Sequence, residues 1–229
     1  MAASADRPLG NPRFVGLLKR TASAVVLGPI AVGAFWFGFP WIDLLVAIAA
    51  PFALAECWRL TRGRPAARTV GLIYVAAAMV GLLWLRHQPA YGRETVLWLL
   101  LCVIATDIGG YFVGSWIGGA RLAPRISPGK TWSGLFGAMA AAGLASAAVA
   151  LWLEAGDPVA LALLGALFAA VGQAGDLLES HAKRRAGVKD SGRLIPGHGG
   201  ILDRIDGLVA VVVAACAIRL LADPGWPWS

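Results

Sequence analysis

Charge is scarce in this chain. Asp, Glu, Lys and Arg make up only 14% of the 229 residues, 58% are hydrophobic, and the mean hydropathy is +0.69. An ordinary soluble domain carries about 25% charged residues, so this balance argues against a water-soluble enzyme. Cysteine is sparse too: Cys57, Cys102 and Cys216 are widely spaced in apolar stretches with no CxxC pair, and they read as small buried hydrophobes. His87, His181 and His198 lack zinc-type spacing. No Ser/His/Asp order or nucleophilic cysteine context is evident, so covalent acyl chemistry has little support. No internal repeat or low-complexity linker stands out.

What the chain has in quantity is apolar runs. They recur at about Thr21 to Phe39, Ile42 to Trp58, Val70 to Leu85, Thr95 to Val113, Trp132 to Leu153, Val159 to Gly175 and Gly207 to Leu221. A bilayer-spanning helix needs roughly 17 to 25 residues, so these runs predict an all-α, polytopic transmembrane helical bundle of about seven spans. The polar start, residues 1–20, is expected to be a basic cytoplasmic tail leading into an uncleaved first span. Residues 21–229 then form one membrane-embedded domain whose longest polar insertion is loop 178–206.

The basic residues give this map a direction. The net charge is +7, which in a soluble protein would raise the question of nucleic acid, but in a membrane protein basic loops set orientation. With the N-terminus inside, seventeen of the twenty Lys and Arg residues fall on one side. They are Arg7, Arg13, Lys19 and Arg20, then Arg59, Arg62, Arg64 and Arg68, then Arg121, Arg125 and Lys130, then the group from Lys183 to Arg204. Arg86 and Arg93 fall on the other side, and Arg219 lies near the end of the last run. The expected location is the bacterial inner membrane, with the polar loops facing the cytoplasm.

Several polar residues are not explained by a membrane. Asp107 lies within an apolar segment, where a charge costs a few kcal/mol or more. It reads either as a packing carboxylate satisfied by neighbours or as part of a site facing a polar cavity. Asp176, Glu179, Ser180 and Lys183 are spaced i, i+3, i+4, i+7, so a helix continuing past the membrane places all four on one face. Asp203 and Asp206 form a further i, i+3 pair with Arg204 between them. Under the expected topology Asp107, Asp176, Asp203 and Asp206 fall at one depth, at the cytoplasmic ends of three segments. Gathered carboxylates need a cation to offset their repulsion, and Mg2+ prefers oxygen ligands completed by substrate phosphates. Lys130, Lys183, Lys189 and Arg193 are placed to meet such phosphates. Ser127-Pro128-Gly129-Lys130-Thr131 is not a Walker motif, because Pro124 stands where its first Gly is required. It reads as a structural turn or as a loop whose backbone N–H groups cradle phosphate.

The run from Ser180-His181-Ala182-Lys183-Arg184 through Lys189-Asp190-Ser191-Gly192 to Pro196-Gly197-His198-Gly199-Gly200-Ile201-Leu202-Asp203-Arg204-Ile205-Asp206 resembles the signature of phosphatidate cytidylyltransferases. The resemblance extends to Gly175-Asp176, to Ser127 through Trp132, to Asp107-Ile108-Gly109-Gly110-Tyr111, and more weakly to Leu18-Lys19-Arg20 and Glu56-Cys57-Trp58. Ser133-Gly134 stands where that family usually has Glu-Gly, and Gly129 replaces a frequent basic residue. The resemblance implies transfer of CMP from CTP to phosphatidic acid with Mg2+, giving CDP-diacylglycerol and pyrophosphate.

On that reading Asp176, Asp203, Asp206 and, more weakly, Asp107 are the expected metal ligands, directly or through water. Lys130, Lys183, Lys189 and Arg204 are expected to neutralise or clamp phosphate, with His198 contacting substrate. Ser127, Thr131 and Ser180 are expected to hydrogen-bond phosphate or metal. The expected partners are CTP, phosphatidic acid and membrane lipids, without nucleic acid; a homodimer is left open. Two other readings stand beside this one: a related membrane nucleotidyl- or phosphotransferase acting on another lipid, and a transporter with Asp and Lys inside its bundle.

Overall fold

The computed structural model describes residues 12–192, 194, 199–222 and 226–228, with side chains from residue 25 onward. Among the described residues there are seven helices: α1 (Pro12–Phe37), α2 (Trp41–Leu60), α3 (Pro65–Arg86), α4 (Gly92–Ile117), α5 (Trp132–Leu153), α6 (Pro158–Arg185) and α7 (Leu202–Leu221). Each expected apolar run falls on one of them. Five, α2 to α6, are long and apolar enough to cross a membrane. The apolar described part of α1 is the shorter Val25–Phe37. α7 begins with three charged residues among its first five, Asp203, Arg204 and Asp206, and is not one of the five.

Local chemistry sets the helix limits. Asp157 caps α6, its Oδ1 accepting from the backbone N–H of Val159 at 2.7 Å and Ala160 at 3.2 Å, and Pro158 follows at the first helical position. α4 stops at Gly118, whose φ of +65° suits a residue without a Cβ.

The all-α expectation needs one amendment. Between α4 and α5 lies an antiparallel hairpin, β1 (Arg121–Ala123) and β2 (Ser127–Thr131), pairing Arg121 with Thr131 and Ala123 with Ser127. Ser127–Thr131, expected as a turn or an open cradle, thus commits backbone groups to strand pairing. A turn closed by Ile126 N–H on the Ala123 carbonyl at 3.1 Å makes the reversal short enough for the two segments to meet. Thr131 ends the strand and caps α5, its Oγ1 accepting from Gly134 N–H at 3.1 Å.

Small residues bring α4, α5, α6 and α7 together at backbone distance, as expected where lipid supplies no hydrophobic drive between helices. A Cβ added at Gly109 would lie 2.6 Å from the Gly137 carbonyl oxygen, and one at Gly134 would lie 2.9 Å from that of Gly110. α6 and α7 meet the same way, since a Cβ at Gly175 would lie 2.5 Å from Ala210 Cβ. Larger side chains fill the rest of the interior: Trp98 packs on Phe168 and Trp228 with ring centroids 5.4 and 5.6 Å away, and its Nε1 donates to Ser146 Oγ at 2.8 Å. The outward faces carry exposed Trp116, Phe136, Leu144 and Trp152, the arrangement a lipid-facing bundle requires.

Replacing Gly137 with Leu is expected to force α4 and α5 apart and lower stability by about 1–3 kcal/mol or more, read by thermal unfolding in detergent. Gly33→Ala, where an added Cβ meets nothing within 4 Å, is expected to leave the midpoint unchanged or raise it slightly.

Candidate active site

α6 is 28 residues long, about 42 Å at 1.5 Å per residue, against a hydrocarbon core of about 30 Å. It therefore runs on past its apolar part, and the face expected from the i, i+3, i+4, i+7 spacing forms there. Ser180 Oγ donates to Asp176 Oδ1 at 3.2 Å, and Lys183 Nζ donates to Glu179 Oε2 at 2.9 Å. α7 brings Asp203 against this face, and Lys183 Nζ donates to its Oδ1 at 2.7 Å. From β2, Lys130 Nζ reaches Asp176 Oδ2 at 2.5 Å and Gln173 Oε1 at 2.6 Å.

These elements enclose a cavity of about 90 Å³ lined by Thr106 and Asp107 of α4, Gln173 and Asp176 of α6, and Asp203, Arg204 and Asp206 of α7, with Val103 and Phe168 beside them. All four carboxylates expected as metal ligands and the expected Arg204 therefore line one space. Lys130, Lys183 and Ser180 each contact a residue of the lining. The other expected site residues lie elsewhere. Ser127 belongs to the hairpin, Thr131 is committed to capping α5, and Lys189 is exposed and off the cavity lining. His198 and Arg193 lie outside the described residues, as do the side chains of Arg7, Arg13, Lys19 and Arg20.

The charges are unevenly matched. Asp203, at the polar start of α7 and ahead of its apolar run, has both oxygens engaged: Oδ1 by Lys183, and Oδ2 by the backbone N–H groups of Ser191 and Gly200, each at 2.8 Å. Burial opposes its ionisation, but the Lys183 hydrogen bond and the two N–H groups outweigh that and hold its carboxyl below the ordinary carboxylate range. Asp206 is different. Its Oδ1 accepts from Gly207 N–H at 2.7 Å, its carboxyl group meets that of Glu179, and among the described residues it forms no ion pair. Glu179 Oε1 is buried and has no donor among the described residues.

An excess of buried oxygen acceptors is what a hard divalent cation neutralises. Among the described residues no three acidic, His or Cys side chains form a ready-made metal cage. Mg2+ is commonly held by one or two carboxylates together with substrate phosphates and water. Asp176 has one partner on each oxygen, Ser180 on Oδ1 and Lys130 on Oδ2, whereas Asp203 has Lys183 on Oδ1 and two backbone N–H groups on Oδ2.

Gln173, Thr106 and Glu179 join the site beyond the expected set. Gln173 lies three residues before Asp176, on the same helix face, and Thr106 adjoins Asp107, so spacing was a usable signal for both. Glu56 of α2 binds Ser191, Ile201 and Leu202. Its signal was an acid within an apolar run.

Fold and site together define a helical membrane protein with a carboxylate-lined, lysine-bridged polar cavity at one end of its bundle. The cytidylyltransferase family matches residues 64–221. The chain is similar to the phosphatidate cytidylyltransferase of Brucella suis biovar 1 (strain 1330), with 46% identity over 187 residues that cover 81% of this chain and 68% of the relative. It is also similar to those of Mycobacterium leprae (strain TN), 40% identical over 239 residues (93% and 77% covered), and Mycobacterium bovis (strain ATCC BAA-935 / AF2122/97), 32% identical over 228 residues (89% and 74% covered). The chain belongs to the cytidylyltransferase family.

The two lysines are similarly buried but their carboxylate partners are not, and their removal is expected to differ in cost. Lys183→Met leaves Glu179 and Asp203, 7% and 4% exposed, without their shared cation, and is expected to destabilise the fold by about 3–5 kcal/mol. Lys130→Met breaks a pair whose Asp176 side chain is 35% exposed and is expected to cost about 1 kcal/mol or less. Unfolding midpoints of the two variants in the same detergent check the order.

Proposed function

We propose that this protein transfers CMP from CTP to phosphatidic acid, forming CDP-diacylglycerol and releasing pyrophosphate in phospholipid biosynthesis. The observation that carries the reading, beyond family membership, is the gathering of Asp107, Asp176, Asp203, Asp206 and Arg204 around one cavity with Lys130 and Lys183 in contact with its walls.

The chemistry needs no protein nucleophile. A phosphate oxygen of the lipid is already anionic; it attacks the α-phosphorus of CTP, a new P–O bond forms, and the bond to the bridging oxygen of the β-phosphate breaks as pyrophosphate leaves. The protein's task is to bring two highly charged reactants together and to offset their charge, because phosphoryl-type transfer depends mainly on positioning and electrostatic stabilisation. Lys130 sits at the cavity wall on the hairpin, where its ammonium group serves a phosphate as readily as Asp176. Arg204, exposed on the first turn of α7, offers a planar pair of donors to a phosphate. Lys183 acts by holding Asp203 and Glu179 in place. Mg2+ would be held by Asp176 and Asp206, with Asp107 beside them, and supplies Lewis-acid polarisation of the reacting phosphates when bound. Asp203 supports this set from its fixed position between Lys183 and the backbone of Ser191 and Gly200.

Topologically, we read α1 and α7 as spanning with the other five, which puts the N-terminus and the cavity on the cytoplasmic side of a bacterial inner membrane. The arginines at 59, 62, 64 and 68, in the last turn of α2, the connecting turn and the first turn of α3, support this orientation. CTP then arrives from water and phosphatidic acid from the adjoining leaflet.

Purified protein given labelled CTP and phosphatidic acid is expected to form a CMP-linked lipid and pyrophosphate with Mg2+ and neither with EDTA. Asp206→Asn is expected to insert normally and lose at least roughly 100-fold in turnover, the scale of removing one preorganised charge-stabilising group. A phosphorylated alcohol as product would assign the chain to another lipid substrate. Solute flux in liposomes without CTP turnover would make it a transporter.

A further inference from the structure

Glu56 lies on α2, outside the cavity lining, and is 1% exposed. A carboxyl group is buried that deeply only where donors surround it. Its Oε2 accepts from Leu202 N–H at 2.8 Å and from Ser191 Oγ at 3.1 Å, and its Oε1 accepts from Ile201 N–H at 3.2 Å. α7 lacks a cap of its own, since the residue at the N-cap position is the apolar Ile201. The N–H groups that open a helix need acceptors. Here they are met by a side chain 145 and 146 residues earlier in the chain.

The fit leaves no slack. A Cβ at Gly200 would lie 2.5 Å from both Glu56 oxygens, and one at Gly192 would collide with Oε1. Asp203 grips the same stretch from the other direction, through the N–H groups of Ser191 and Gly200. Leu202 and Asp206 are four residues apart on α7, so they share a helix face. Whatever fixes the backbone at Leu202 also fixes where Asp206 stands.

Resting on the cytidylyl-transfer reading above, we infer that Glu56 is a positioning residue: it caps α7 from another helix and thereby sets Asp203 and Asp206 in the cavity without touching either substrate. A displacement of about 1 Å in such a group is enough to cost on the order of 100-fold in rate. Replacing Glu56 with Gln keeps size and shape but turns one acceptor into a donor, which orphans at least one of the N–H groups it now serves.

The test compares the wild type with Glu56→Gln, Glu56→Asp and Glu56→Ala, as full chains in lipid nanodiscs. Backbone hydrogen exchange in the peptide covering Ile201 and Leu202 is expected to be at least roughly 10-fold faster in Glu56→Gln. Its kcat is expected to fall at least about 10-fold while KM for CTP stays within about threefold, the pattern of a lost transition-state arrangement rather than lost binding. Glu56→Asp, which keeps both oxygens, is expected to recover part of both signals. Unchanged exchange in Glu56→Gln overturns the cap. Faster exchange with wild-type kcat, or a rise in KM alone, overturns the positioning role. If Glu56→Ala does not fold, the near-isosteric Glu56→Gln carries the comparison. If the wild type makes no CMP-linked lipid, the functional reading fails, and the exchange data still decide the cap.

Discussion

One ammonium group, Lys183 Nζ, lies between Glu179 on its own helix and Asp203 on the next, 2.9 and 2.7 Å away. Three charged side chains with little exposure are tolerable only as a set, because each one alone would carry an uncompensated desolvation penalty. The arrangement therefore ties the end of α6 to the start of α7, and the remaining polar contacts follow from it. Asp203, once held, orders Ser191 and Gly200; Asp206, one turn further, is left facing the cavity with Glu179 beside it.

Glycine and alanine play the complementary part in the apolar region. Where α4 meets α5 and α6 meets α7, backbone lies against backbone, so helix positions are decided by main-chain shape rather than by side chains able to change rotamer. Polar ties at the end of the bundle then act on stiff rods. A small set of hydrogen bonds suffices to define the site because the helices bearing it cannot readily slide.

The helical architecture was readable from the order of the residues because length and hydropathy decide it: each of the seven apolar runs became one helix. The convergence of Asp107, Asp176, Asp203 and Asp206 was readable as well, since alternating spans place their ends together. What escaped the sequence is which groups pair with which, at short range as well as long. Nothing local in Ser127–Thr131 reveals that β1 lies opposite it, and a Pro-Gly-Lys run is as consistent with a turn as with a strand edge. Thr131, expected to contact phosphate, also caps α5 by accepting from the Gly134 N–H, a contact its place in the motif does not announce. Asp203, an expected metal ligand directly or through water, lines the cavity and in addition accepts on one oxygen from backbone N–H groups twelve and three residues away, which its i, i+3 spacing to Asp206 does not reveal. Glu56 depends on contacts across about 140 residues, which no spacing rule reports.

The reach of α6 beyond the hydrocarbon has one more implication. Many membrane proteins expose polar groups at depth by unwinding a helix, which leaves main-chain groups to be satisfied by other means. Here the rod stays whole to Arg185, and at about 42 Å it is longer than the roughly 30 Å hydrocarbon core, so on the spanning reading proposed above its last turns reach the polar boundary. A reaction joining a water-borne nucleotide to a leaflet-bound phosphate calls for such a boundary, and an unbroken helix supplies it without disturbing its own hydrogen-bond ladder.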